Sequence, residues 1–175
     1  MTQPEFSRLQ RRDTIGTTEH TVSISATEEE RAALAARFGL IALDRLEATL
    51  RIRTEAVGIV ARGTVSANVV QACSVTDEPL KVRVNEDIAV RFIEEQAVDE
   101  EEIELSEDAL DTMFYSGGGI DLGEAAAETV ALALDPFPRG PNAAAALKAA
   151  GVMDEDELKP AGGALAGLRD LLGKG

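Results

Sequence analysis

The chain has 175 residues, of which 45% are hydrophobic, 3% are aromatic and none is tryptophan; its formal net charge is −15. That length suits one domain with a tail, and its core must be aliphatic. The single cysteine, Cys73, excludes an internal disulfide and a thiolate cage for a metal.

The N-terminus carries no basic-then-apolar signal pattern, and no apolar run approaches the roughly 20 residues of a spanning helix. The expectation is a cytoplasmic protein with no membrane partner. Phe6–Arg12 reads as extended and holds Arg8, Arg11 and Arg12. His20, Val22 and Ile24 then alternate with Thr21, Ser23 and Ser25, the period of a half-buried strand. Thr27 and Glu30 form a capping box, Arg37 lies in the last turn and Gly39 stops the helix, which predicts a helix over residues 28–38.

Three long strands follow. Leu46, Ala48, Leu50 and Ile52 alternate with polar residues, and Glu55-Ala56 marks a reversal. Val57, Ile59, Ala61, Gly63, Val65, Ala67 and Val69 define a second apolar face. After a turn at Thr76–Pro79, Leu80, Val82, Val84, Ile88, Val90 and Phe92 define a third. Glu86 falls on that apolar face, which predicts a bulge near residues 85–87, because a buried unpaired Glu is costly. Short connections favour antiparallel pairing.

Residues 94–111 hold ten acids and no base, whereas residues 1–93 hold 12 bases and 13 acids. One segment therefore makes the chain acidic, and it reads as a mobile loop. Ser116–Gly119 is a flexible joint. Asp121 caps a helix whose Leu122, Ala126, Val130 and Leu134 share one face, and Asp135-Pro136 ends it. Beyond residue 140 the Ala- and Gly-rich pieces predict partial order. Asn142–Ala150 forms a short capped helix there, and Leu165, Leu168, Leu171 and Leu172 mark a second.

The fold class expected is α+β: an antiparallel meander, curved or barrel-like, with a short helix after the first strands and a longer one near residues 121–134. The domain spans 1–140 with a mobile acidic loop at 94–119, and 141–175 is a partly ordered tail.

Catalytic chemistry has little support. His20 is the only histidine and sits in strand alternation, as a packed or rim residue rather than a general base. Cys73 lacks an activating base nearby and reads as a structural thiol rather than a nucleophile. Gly117–Gly119 precedes a helix but lacks the Lys and Ser/Thr of a P-loop. No cofactor, metal or catalytic residue is expected. Partner contact falls to Asp99, Glu100, Glu101 and Glu102, an electrostatic lure for a basic protein, and to Arg8, Arg11 and Arg12. The same acids repel phosphates, so RNA contact must use those arginines or Arg51, Arg53, Arg62, Lys81, Arg83 and Arg91. No stacking platform accompanies them, which makes RNA contact the weaker reading beside protein contact.

Three stretches remain: Gly63-Thr64-Val65…Gln71-Ala72-Cys73, the acidic interval before Ile120-Asp121-Leu122-Gly123-Glu124, and Asp135-Pro136-Phe137-Pro138-Arg139. Together they resemble the YceD family of bacterial and plastid proteins, linked to accumulation of large-subunit ribosomal RNA. The family's Cys-x-Arg-Cys pattern stands here as Cys73-Ser74-Val75-Thr76, and no cysteine follows Arg139, so the chain looks like a cysteine-poor branch. The resemblance implies a non-enzymatic factor in ribosome large-subunit biogenesis. Its partners would be a large-subunit precursor, a ribosomal protein or ribosomal RNA. A binding module unrelated to the ribosome is the alternative, and an enzyme using Cys73 is a third reading.

Overall fold

A computed structural model describes residues 4–95 and 110–152 of the chain. Strand β1 is Leu9–Arg11, and β2 is His20–Ser25; helix α1, Glu28–Phe38, leads into the long strands β3 (Ala42–Glu55), β4 (Gly58–Ala72) and β5 (Pro79–Glu94). Two short strands, β6 (Asp111–Tyr115) and β7 (Gly119–Asp121), precede α2 (Leu122–Ala133) and α3 (Ala143–Ala149).

The main sheet has the order β2-β3-β4-β5-β6, and β1 pairs with β7 in a separate two-stranded ribbon. Strands β2 to β5 form the expected antiparallel meander. The sheet is open at both ends, so the barrel-like alternative is corrected. Strand β6 also departs from the meander, since it runs parallel to β5 with Val90 beside Asp111 and Glu94 beside Tyr115. The long interval between β5 and β6 provides the crossover length that parallel pairing demands.

Alternation explains one face of the sheet. Leu46, Ala48, Leu50 and Ile52 of β3 are buried, as are Ile59, Ala61, Val65, Ala67 and Val69 of β4 and Val84, Ile88, Val90 and Phe92 of β5. All belong to one core with Leu34 and Ala35 of α1 and Leu122, Ala125, Ala126, Ala127 and Val130 of α2. Helix α1 packs on β3, and α2 packs on β4, β5 and β1. Gly63 sits where two strand backbones approach closely. A Cβ there would lie 2.0 Å from the Thr49 carbonyl oxygen and 2.9 Å from Leu50 Cα.

The capping box of α1 forms as its sequence dictates: Thr27 Oγ1 accepts from the Glu30 N–H, and the Glu30 carboxylate accepts from the Thr27 N–H. The bulge expected near Glu86 is absent. Glu86 pairs with Val65 in unbroken register and is exposed, so solvent alone removes the desolvation cost. The register shift lies in β3 instead, between Leu43 and Arg45, where Asp44 is the extra residue. It returns Leu43 to the buried side although its parity differs from that of Leu46.

Of the loop expected over 94–119, residues 96–109 lie outside the described residues, and residues 111–115 form β6 where loop was expected. Thr112-Met113-Phe114-Tyr115 is rich in strand-forming residues, and Tyr115 is buried. Gly117 and Gly118 have φ of 80° and 84°, so the glycine run is a turn joining β6 to β7. Asn142 does not cap α3; its side-chain amide donates to Glu78 at 2.9 Å and 3.2 Å instead. The helix expected around Leu165–Leu172 lies outside the described residues.

Candidate functional site

Arg8, Arg11 and Arg12 each meet a different acid. The Arg8 guanidinium donates to both oxygens of Glu30 at 2.6 and 2.8 Å and to the carbonyls of Ser7 and Ser25. It also lies over the Phe6 ring, 4.6 Å from the centroid. The Arg8 hydrogen bond, above all, draws the Glu30 carboxyl down to about 2. Arg11 pairs locally with Asp13, and Arg12 pairs with Glu94 at the end of β5. Arg8 is thus a structural clamp. Asp99, Glu100, Glu101 and Glu102 lie outside the described residues. His20 is exposed at the start of β2.

Asp121 completes that clamp. Its carboxylate accepts from the amides of Gly123 and Glu124, from the Arg8 amide at 2.8 Å and from the Ser7 hydroxyl at 2.5 Å. Glu124 turns away from the cap to pair with Arg37, which also holds Glu5. Glu124 first, then Glu5, raises the Arg37 pKa.

Two of the stretches that carry the family resemblance, far apart in the chain, meet in space. Gln71 Nε2 donates to the Asp135 carbonyl at 2.9 Å, and the Ser74 amide donates to the Pro138 carbonyl at 2.8 Å. The Gly140 amide donates to Cys73 Sγ at 3.3 Å. Thr76, which stands where the family pattern has its second cysteine, donates from its hydroxyl to Glu78. Cys73 is 0% exposed. The Gly140 amide, followed by Thr76 and Val75, lowers its thiol pKa to about 7. These bonds favour a thiolate, but a substrate has no path to the sulfur. The adjoining depression, about 400 Å³, is lined by Phe38, Leu40, Gln71, Leu134, Pro136 and Pro138 among others.

The other side of the main sheet has a different character. Paired strand residues share a face. Register therefore places Arg45, Asn68 and Arg83 in one row, Glu47, Ser66 and Asn85 in the next, then Thr49, Thr64 and Asp87. Arg51 and Arg62 follow, then Arg53, Val60 and Arg91. Lys81 lies beside Val70 at the far end. Seven bases share the paired positions of this face with three acids, Glu47, Glu55 and Asp87, a net of +4 in a chain of net −15. Arg45, Arg51, Arg53, Arg62, Lys81 and Arg83 are exposed. A shallow depression of about 210 Å³ opens among Arg45, Ser66, Asn68, Arg83 and Asn85. Arg45 and Phe114 are the residues that sequence reasoning missed. Arg45 continues the polar alternation one residue ahead of Leu46, the first residue of the expected strand, and the acidic neighbours of β6 drew attention from Phe114.

A family model described as "Large ribosomal RNA subunit accumulation protein YceD" matches residues 61–172, more than half of the chain. The chain belongs to the YceD family. The matched part of this YceD protein runs from β4 onward and includes the Cys73 turn, the Asp121 cap and the Asp135–Arg139 segment. No curated protein and no solved structure matches it. Among the described residues, no cluster of three or more His, Cys, Asp or Glu is placed to hold a metal, and no helix is long and apolar enough to cross a membrane.

Proposed function

We propose that this YceD-family protein supports accumulation of large-subunit ribosomal RNA as a non-enzymatic contact factor. It binds a large-subunit precursor particle or one of its basic proteins, in the cytoplasm. The family match over residues 61–172 carries the reading. The charge distribution supports contact as the mode of action, with ten acids gathered in residues 94–111 and a basic sheet face elsewhere. The complete burial of Cys73 argues against thiol catalysis.

Depletion of the protein should lower mature large-subunit RNA relative to its precursors, read by RNA blotting and subunit profiles. Unchanged RNA and unchanged profiles would remove the role. Replacement of the endogenous protein by Cys73→Ala should restore accumulation. Failure of that variant at an unaltered melting temperature would show chemistry at the sulfur.

A further inference from the structure

We infer that the outer face of the main sheet binds single-stranded RNA through its phosphates, with Phe114 as a stacking surface for a base. The inference rests on the proposed role in large-subunit RNA accumulation for its biological partner, while the chemistry comes from the face itself.

Guanidinium groups occupy both ends of the face: Arg45 and Arg83 at one, Arg51, Arg62 and Arg53 at the other. Arg51 lies six positions beyond Arg45 in β3, which at strand rise is roughly 20 Å. A track of that length suits a polymer with regularly spaced charges better than a single carboxylate ligand. The rows between hold Glu47, Ser66 and Asn85, then Thr49, Thr64 and Asp87; their hydroxyls and amides suit phosphate oxygens and ribose 2′-hydroxyls, and Glu47 is paired with Arg45, which leaves Asp87 as the acid at mid-track. The depression between Arg45 and Arg83 is lined only by polar and small residues and offers two guanidinium groups to one phosphate.

Phe114 adds what the arginines lack. Strand β6 sets it beside Ile93, on the same side as Arg91 and Thr112, and it is 56% exposed. The ring stands at the Arg53 and Arg91 end of the face, ten residues of β5 from Arg83, where an exposed aromatic can hold an unpaired base of a strand laid along the basic rows.

The cations are available for the task. Arg62, Lys81 and Arg83 form no ion pair among the described residues. Arg45, Arg51 and Arg53 pair with Glu47, Glu19 and Glu55, but all three arginines remain about half exposed, at 56%, 58% and 45%. Such exposed pairs exchange readily for phosphate. The overall charge of −15 does not forbid binding, because fields decay over about 8 Å at physiological salt and the face itself is positive.

Fluorescence anisotropy with a labelled oligouridylate, titrated over a range of salt, tests the inference. The triple variant Arg45→Ala/Arg62→Ala/Arg83→Ala should bind at least tenfold more weakly. Its log K against log salt should be shallower by about 2, at about 0.7 for each phosphate no longer neutralised. A control of equal charge away from the face, Arg31→Ala/Arg139→Ala/Lys148→Ala, should bind like the parent. Phe114→Ala should weaken binding roughly tenfold with an unchanged salt slope. Melting curves establish that each variant is folded, and if the triple melts early the single Arg62→Ala replaces it, with a slope change of about 0.7.

Absence of RNA binding at low salt would overturn the inference, and so would equal weakening in both triple variants. A sheet-face variant that keeps RNA binding but no longer binds polyglutamate would make the face a site for an acidic protein, and would equally overturn it. Large-subunit RNA that still depends on a protein unable to bind oligouridylate removes this inference and leaves the proposed role. An RNA-binding face with unchanged RNA after depletion removes the role and leaves the inference.

Discussion

The clamp around Asp121 and the outer face of the sheet are both rich in arginine, and they use it in opposite ways. In the clamp every guanidinium is satisfied from within: Arg8 has four hydrogen bonds to Glu30, Ser7 and Ser25, and Arg37 spans Glu5 and Glu124. On the face, Arg62, Lys81 and Arg83 form no ion pair among the described residues and stand in solvent. Charge held in a partly buried, satisfied network fixes how β1, β7, α1 and α2 join. Charge held at register spacing on an open sheet leaves its binding capacity for a partner. The number of arginines says little; the acceptors around each one decide its role.

The largest break in this comparison should come from Gly123→Ala in the clamp. A Cβ there would meet the Phe6 carbonyl oxygen at 2.3 Å and the Arg8 nitrogen at 3.0 Å. Alanine's helix propensity offers about 1 kcal/mol in return, less than the clash of two rigid backbones, so a net loss of about 2–3 kcal/mol is expected in urea unfolding. Asp121→Ala should cost about 2 kcal/mol by the same measurement, since it removes the cap of α2 and the anchor for Ser7 and Arg8.

Glu30→Gln is smaller and depends on pH. The Glu30 pKa falls from 4.5 to about 2 on folding, so its charge stabilises the protein fully above pH 4.5 and ceases to do so as pH drops towards 2. With partial solvent screening, about 1–2 kcal/mol should separate parent and variant at neutral pH. Their urea midpoints should converge near pH 2. A constant gap across that range would mean that the missing interaction is packing and not charge. The smallest effect belongs to the face: Arg62→Ala should change stability by less than about 0.5 kcal/mol. A loss as large as that of Asp121→Ala would show that the face is structural and dissolve the contrast.

Much of the architecture was legible because its signals are local. Thr27, Glu30 and Gly39 mark both ends of α1 within a dozen residues, and two-residue alternation marks β2 to β5. Asp121 announces α2 in the same way. The signals failed where a local rule had two solutions. Glu86 demanded relief from burial, and exposure supplied it where a bulge was expected. Asn142 had the chemistry of a cap, but Glu78, distant in the chain, captured its amide. Of the N-terminal arginines expected as one basic contact group, Arg8 is tied to Glu30 in a partly buried pair, whereas Arg11 and Arg12 pair with Asp13 and Glu94 and stay exposed.

From its residues alone this chain determined the helices, the long strands and the side of each strand that must leave water, since those follow from periods of 3.6 and 2. Alternation also placed each strand arginine opposite the core. Only the tertiary structure decided that those arginines stand beside one another, that Phe114 joins them from a parallel edge strand, and that Arg8 faces inward. Neighbourhood across a sheet is set by hydrogen-bond register between residues far apart in the chain, and no local pattern encodes that register.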